Sequence, residues 1–89
     1  MAKYDVYYSK SFKKNLKKFR KEVDLIKDIV KRLANDEILE PKYKDHALKG
    51  NFKGFRECHV RPDLVLIYEK DEGILVLTAI NIGSHSGLF

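Results

Sequence analysis

Residues 55–80 read FRECHVRPDLVLIYEKDEGILVLTAI, and this stretch decides the fold. It divides into three strand candidates, Phe55–Val60, Leu64–Lys70 and Ile74–Ile80, each rich in β-branched, aromatic or aliphatic residues. Pro62-Asp63 breaks the first pair, because proline has no N–H to offer a sheet ladder. Asp71-Glu72-Gly73 predicts a tight turn between the second and third. The last two candidates are apolar at almost every position, so they are predicted to be central strands covered on both faces.

The pattern changes period towards the N-terminus. Val6 and Tyr8 alternate with Asp5 and Tyr7, predicting a short first strand over residues 3–8. Ser9 or Ser11 can cap a helix, since a serine oxygen accepts an otherwise unpaired first-turn N–H. Phe12, Leu16 and Phe19 then form one apolar stripe, and Val23, Ile26, Ile29, Val30 and Leu33 form a second. Two amphipathic helices in succession predict a helical hairpin packed on one face of a sheet. Between Asn35 and Gly54 the periodicity fades, and Pro41, Gly50 and Gly54 mark a loop-rich segment. The order β-α-α-β-β-β predicts an α+β fold with a mainly antiparallel sheet, as one domain over residues 1–89.

Composition narrows the function classes. A chain of 89 residues with 44% hydrophobic residues can build a compact core but leaves no room for a separate cofactor module. Its 18 Lys and Arg against 13 Asp and Glu give a net charge of +5, which suits a polyanionic partner, either nucleic acid or an acidic protein. Seven of these cations, Lys10, Lys13, Lys14, Lys17, Lys18, Arg20 and Lys21, lie off the apolar stripe of the first helix, as a solvated face or an RNA contact. The single cysteine, Cys58, excludes an intramolecular disulfide and fits a reducing compartment. No apolar run is long enough to span a bilayer, and no signal-peptide stretch opens the chain, so a cytoplasmic location and no membrane partner are expected.

The candidate chemistry lies in the second half. His46, His59 and His85 all fall there, with Asp63 beside a turn signal and His85 just after the last strand, where Gly83-Ser84-His85-Ser86-Gly87 predicts an exposed loop. Side chains alternate along a strand, so His59 shares a face with Glu57 while Arg56, Cys58 and Val60 point the other way. Cys58 and His59 therefore cannot pair as thiolate and imidazole, Cys58 reads as a small core residue, and Arg56 reads as a structural ion-pair partner. Histidine titrates near neutrality without special tuning, so a histidine cluster can supply paired acid and base catalysis. RNA cleavage needs only such a pair. A base takes the ribose 2′-OH proton, the oxygen attacks phosphorus, and an acid protonates the departing 5′ oxygen. Scattered histidines without the close spacing of HxxxH or CxxC predict no metal site and no cofactor.

Three boxes carry a resemblance to a known family. Tyr43-Lys44-Asp45-His46-Ala47-Leu48-Lys49-Gly50 is similar to the YKDHPLxG box of YafQ-type toxins of the RelE/ParE superfamily. Residues 54–68, GFRECHVRPDLVLIY, are similar to that family's G-[FY]-R-x-x-H-V-x-P-D-x-x-L-I-Y, and residues 83–89, GSHSGLF, resemble its GTHxxLF ending. The resemblance implies a RelE-like fold and a bacterial type II toxin that cleaves mRNA, typically at the ribosome. It also implies a cognate acidic antitoxin, with operator DNA bound by the complex through that antitoxin. His85 falls on the position expected for the proton donor. His46, His59 and Asp63 share the base, orienting and phosphate-stabilising roles, undivided at this level. Phe89 falls on a substrate-stacking position, and Lys49, Lys53 and Arg61 are candidate phosphate contacts.

The chain departs from the family pattern at three places. Leu64 stands where Trp is common, Asn81 where Arg is common, and Ala47 where Pro is common. Loss of the Trp removes one stacking contact, and loss of the Arg removes a stabiliser of phosphorane charge. These departures keep open a second class of function, a degenerate toxin fold that binds antitoxin or RNA without cleaving it.

Overall fold

The computed structural model describes residues 2–88. Its elements are β1 (Asp5–Tyr8), α1 (Lys10–Leu16), α2 (Val23–Ala34), β2 (His46–Ala47), β3 (Arg56–Arg61), β4 (Leu64–Asp71), β5 (Val76–Gly83) and α3 (His85–Leu88). Short 3-10 turns at Arg20–Glu22, Pro41–Tyr43 and Gly50–Phe52 join them. The expected α+β architecture is present, with a five-stranded sheet in the order β1-β5-β4-β3-β2.

Ser9 begins α1. Its hydroxyl oxygen accepts the Phe12 N–H at 3.0 Å and its own proton goes to the Ile80 carbonyl. The capping interaction is worth about 1 kcal/mol. Phe12 is buried, while Leu16 and Phe19 pack half-buried against the core. Along α2, Ile26, Ile29, Val30 and Leu33 are buried as their spacing predicts, and Ala34 joins them. They meet Cys58, Val60, Leu66, Tyr68, Leu77, Ala79 and Ile82 from one face of the sheet. Each large side chain so buried contributes roughly 1.5–3 kcal/mol.

β4 occupies the middle of the sheet, and every residue from Leu64 to Tyr68 is buried. Leu66 and Tyr68 face the helices, whereas Val65 and Ile67 are buried outside that cluster, on the opposite face. β5 is also interior, but Thr78, Ile80 and Asn81 are only half-buried, so its second face is partly open. At Ile67 and Tyr68 the β4–β5 register shifts, with Ile67 opposite Asn81 and Tyr68 opposite Ala79, leaving Ile80 as the extra residue of a bulge. The bulge accepts the Ser9 hydroxyl through the Ile80 carbonyl, which ties the start of α1 to the strand that leads to the C-terminal box.

Several boundaries differ from the sequence expectation. The third strand candidate, Ile74–Ile80, is displaced to Val76–Gly83. The turn before it is wider than Asp71–Gly73, because Asp71 Oδ1 accepts the N–H groups of both Gly73 and Ile74 and carries the turn through Leu75, at φ 54°. The first strand pairs parallel to β5, so the sheet is antiparallel everywhere except at that edge. β2 was not foreseen. Residues 85–88 form a one-turn helix rather than the exposed loop expected around His85. Leu88 packs on Gly83, where a Cβ would come within 3.2 Å of its side chain, and this contact seats the helix on β5.

Asp36 closes the end of α2. It adopts φ 63°, a left-handed conformation that aspartate tolerates, and its carboxylate accepts Lys70 Nζ at 2.8 Å and Lys3 Nζ at 2.9 Å. The hydrogen bond from Lys70, then that from Lys3, lowers its pKa from the ordinary 3.8 to about 2. A carboxylate lowered in the folded state adds stability above its unfolded value, and that stability disappears as pH falls through the folded value. Asp36→Asn, which keeps the backbone conformation accessible, should therefore be less stable than the parent at pH 7, with the gap closing between about pH 4 and pH 2. Urea unfolding of both proteins across that range measures it; a gap independent of pH would show that the ion pairs contribute nothing.

Candidate active site

The face of the sheet opposite the helices carries the candidate residues His46, Glu57 and His59. β2 is two residues long and pairs antiparallel with β3, placing His46 opposite Glu57 and Ala47 opposite Arg56. Glu57 pairs in turn with Ile67, and Ile67 with Asn81, so His46, Glu57, Ile67 and Asn81 form one row across the sheet. The Leu48 N–H bonds the Phe55 carbonyl at 2.9 Å and extends the hairpin. Its connecting loop uses Gly50 and Gly54 at φ 65° and 99°, a region glycine enters without the clash a side chain would make.

Glu57 is the buried charged residue at the centre of this arrangement, with 3% of its surface exposed. Oε2 lies 2.9 Å from His46 Nε2, and Oε1 lies 3.7 Å from His85 Nε2. Oε1 is buried and makes no hydrogen bond among the described residues. A carboxylate withdrawn from water needs compensating positive charge or donors, and the groups within reach here are two imidazoles. The bulge and α3 bring His85 to the site from β5, while the short β2 brings His46 from the other side.

The geometry fixes proton positions on His46. Its Nδ1 lies 2.6 Å from the Lys44 carbonyl, which can only accept, so Nδ1 carries a proton. Nε2 faces the Glu57 carboxyl group. That contact is favourable only if one further proton lies between the two groups, either on the imidazole or on the carboxyl. His46 and Glu57 therefore act as a coupled unit.

His59 shares the sheet face of Glu57, two residues along β3 and thus roughly 6.5–7 Å away. Its Nδ1 lies 3.3 Å from the Pro62 carbonyl, an acceptor that selects the Nδ1–H form and leaves the Nε2 lone pair available in the neutral ring. It borders a cleft of about 380 Å³ shared with Leu25, Lys42, Tyr43, Arg61 and Pro62. Asp63 is exposed in the β3–β4 turn and makes no side-chain hydrogen bond or ion pair among the described residues. Lys49 and Lys53 stand exposed on either side of the Gly50–Phe52 turn, and Arg61 is exposed at the end of β3. Phe89 lies outside the described residues.

The expected roles of neighbouring residues divide clearly. Arg56 pairs with Asp45 at 3.4 Å, as a structural partner. Cys58 is fully buried on the helix side, and burial pushes its thiol up to about 12, so it is no nucleophile near neutrality. Leu64 is a core residue, and Asn81 accepts the Asn15 side-chain amide at 2.6 Å and the Ile82 N–H at 2.9 Å. Among the described residues no group of three or more His, Cys, Asp or Glu is arranged to hold a metal ion. Sequence reasoning missed Glu57 as a member of the site. Its signal was a carboxylate two residues from His59 on the same strand, and so on the same face.

Comparisons with known proteins identify the family. Residues 4–89 match the family model described as "Bacterial toxin of type II toxin-antitoxin system, YafQ". The chain is 36% identical over 93 residues to the mRNA interferase toxin YafQ of Escherichia coli strain K12, covering 100% of this chain and 99% of that one. Its structure is similar to that of a metal-bound toxin from Helicobacter pylori, with a TM-score of 0.88, 43% identity and 100% of both chains covered. It is also similar to YafQ in the E. coli DinJ–YafQ complex, with a TM-score of 0.85, 34% identity and 97% and 98% of the two chains covered. The fold, the order of the boxes and the length of the match agree, and the chain belongs to the YafQ family of bacterial type II toxin–antitoxin toxins.

Proposed function

We propose that this chain is an mRNA interferase that acts at the ribosome, cleaving RNA through attack of the substrate's own 2′-OH, and that an acidic antitoxin silences it. The observation that carries this reading is the buried Glu57 carboxylate held between His46 and His85. Glu57 Oε1 lies 3.7 Å from His85 Nε2, so the carboxyl group positions the ring that serves as proton donor. His85 is the acid that protonates the departing 5′ oxygen. His59, with Nδ1 turned to a carbonyl and its Nε2 lone pair available, takes the 2′-OH proton, and Asp63 in the adjoining turn is its alternate. The coupled His46–Glu57 unit presents imidazolium to the phosphorane. Lys49, Lys53 and Arg61 hold the flanking phosphates, with Phe89 stacking on a base. Acid, base and charge stabilisation all come from side chains, so the scheme needs neither metal nor cofactor.

Asn81 supports a second reading, a fold that binds without cleaving. Where the family often places arginine, this neutral side chain is engaged by Asn15 and the Ile82 N–H and offers no cation. Growth arrest on expression alone separates the readings, because a toxin that only binds does not stop growth by cutting mRNA.

His85→Ala should lower single-turnover cleavage by about 10²–10⁴-fold, the usual effect of removing a positioned proton donor, with little change in RNA affinity. Glu57→Gln should lower the rate as well, although it preserves size and hydrogen-bonding capacity. A parental rate in both variants would remove the trio from the chemistry.

Cleavage of naked RNA should survive EDTA and leave a 5′-hydroxyl with a 2′,3′-cyclic or 3′-phosphate. A deoxyribose at the scissile position should block it. Loss of activity in EDTA that zinc restores would overturn the scheme.

The exposed cations Lys10, Lys13, Lys14, Lys17, Lys18, Arg20 and Lys21 form no ion pair among the described residues, so their charge is available to an acidic partner. Association with the operon's antitoxin should slow as salt rises from 0.05 to about 0.5 M, since screening shortens the reach of these charges. Stopped-flow mixing measures it, and a salt-independent rate would locate the contact elsewhere.

A further inference from the structure

The β2–β3 pairing carries two ion pairs back to back. On β3 a base precedes an acid, Arg56 then Glu57; on the facing segment an acid precedes a base, Asp45 then His46. Side chains alternate, so His46 meets Glu57 on the open face while Asp45 meets Arg56 on the helix side. The second pair is anchored in the core. The hydroxyl of Tyr68, a buried residue opposite Arg56 on β4, donates to Asp45 Oδ1 at 2.5 Å and accepts Arg56 Nε at 3.2 Å. Burial, and then the Asp45 carboxylate, keeps the Tyr68 phenol protonated as a donor far above neutrality.

From this arrangement we infer that Asp45, Arg56 and Tyr68 form a positioning latch that sets the register and the ring orientation of His46. The inference rests on the proposed part of His46 in RNA cleavage. Two features show why a latch is needed. β2 has only two residues, so its ladder supplies few bonds to fix register, and a slip of one residue would turn His46 to the other face. Lys44 is held at φ 48° and ψ 43°, a left-handed conformation that a residue with a side chain keeps only when its surroundings impose it. The carbonyl that this conformation presents is the one facing His46 Nδ1 at 2.6 Å. Asp45 lies between the strained residue and the histidine, and fastening its carboxylate to Tyr68 and Arg56 holds both neighbours. These are positioning residues, acting on the far side of the sheet from the imidazole they orient.

Tyr68→Phe keeps the buried ring and removes the hydroxyl, and Asp45→Ala removes the fastened carboxylate while leaving every apolar side chain of the core in place. In both full-length variants, the ¹⁵N and long-range ¹H–¹⁵N signals of His46 should move from those of a fixed ring whose Nδ1–H is held by the Lys44 carbonyl towards those of a mobile ring whose N–H protons exchange with water. Single-turnover cleavage should fall about 10–100-fold with little change in RNA affinity, the effect of a misplaced group rather than a missing one. Asp45→Asn retains an acceptor for Tyr68 and Arg56 and should restore the parental imidazole signals and most of the rate. If Tyr68→Phe and Asp45→Ala fold and their His46 signals match the parent, the latch is overturned. If the signals change while cleavage stays parental, the latch stands and the role of His46 in cleavage falls.

Discussion

A carboxylate removed from water must be met by donors or positive charge, and the burial of Glu57 imposes that requirement on β3, next to the edge of the sheet. Its two oxygens are met by rings from opposite directions, His46 from a two-residue strand at one edge and His85 from a one-turn helix beyond β5. Neither ring would be needed there for packing. The Ile80 bulge, the seat of Leu88 on Gly83 and the pairing of β2 with β3 all serve to bring two distant histidines to one buried charge.

The same economy separates stability from chemistry. One face of the sheet is closed by α1 and α2 over an apolar cluster, and the acidic residues of the segment after α2 are matched to structural cations: Asp36 to Lys3 and Lys70, Glu37 and Glu40 to Arg32. The other face keeps a buried carboxylate oxygen that makes no hydrogen bond among the described residues. Polar groups left incompletely satisfied cost stability, and proteins tolerate them where function requires it. The tightly fastened Asp45 and the catalytic candidate His46 are adjacent residues on opposite sides of this division.

Much was determined by the sequence alone. Two amphipathic stripes, the Ser9 cap, three apolar strand segments and the proline break are local properties, because a helix or strand declares its period within a few residues. They were enough for the α+β class and the position of β4. The histidine boxes were legible as well, since a resemblance needs order and spacing rather than contact. Cys58 could be set aside by parity, and its burial in the core follows from the same alternation.

Tertiary structure decided the rest, for identifiable reasons. A two-residue strand has no period to read, so β2 and its pairing of His46 with Glu57 are invisible until the hairpin closes. The parallel pairing of β1 with β5 is a long-range contact that neither strand encodes locally. The stretch from Gly83 to Gly87 looked like a loop, and packing of Leu88 on Gly83 seats residues 85–88 as a helix. Glu57 itself was written in the sequence as one acid among 13, and what distinguishes it is not its identity but its burial. Burial belongs to the folded chain, because it depends on what the remote segments carrying His46 and His85 place over that carboxylate.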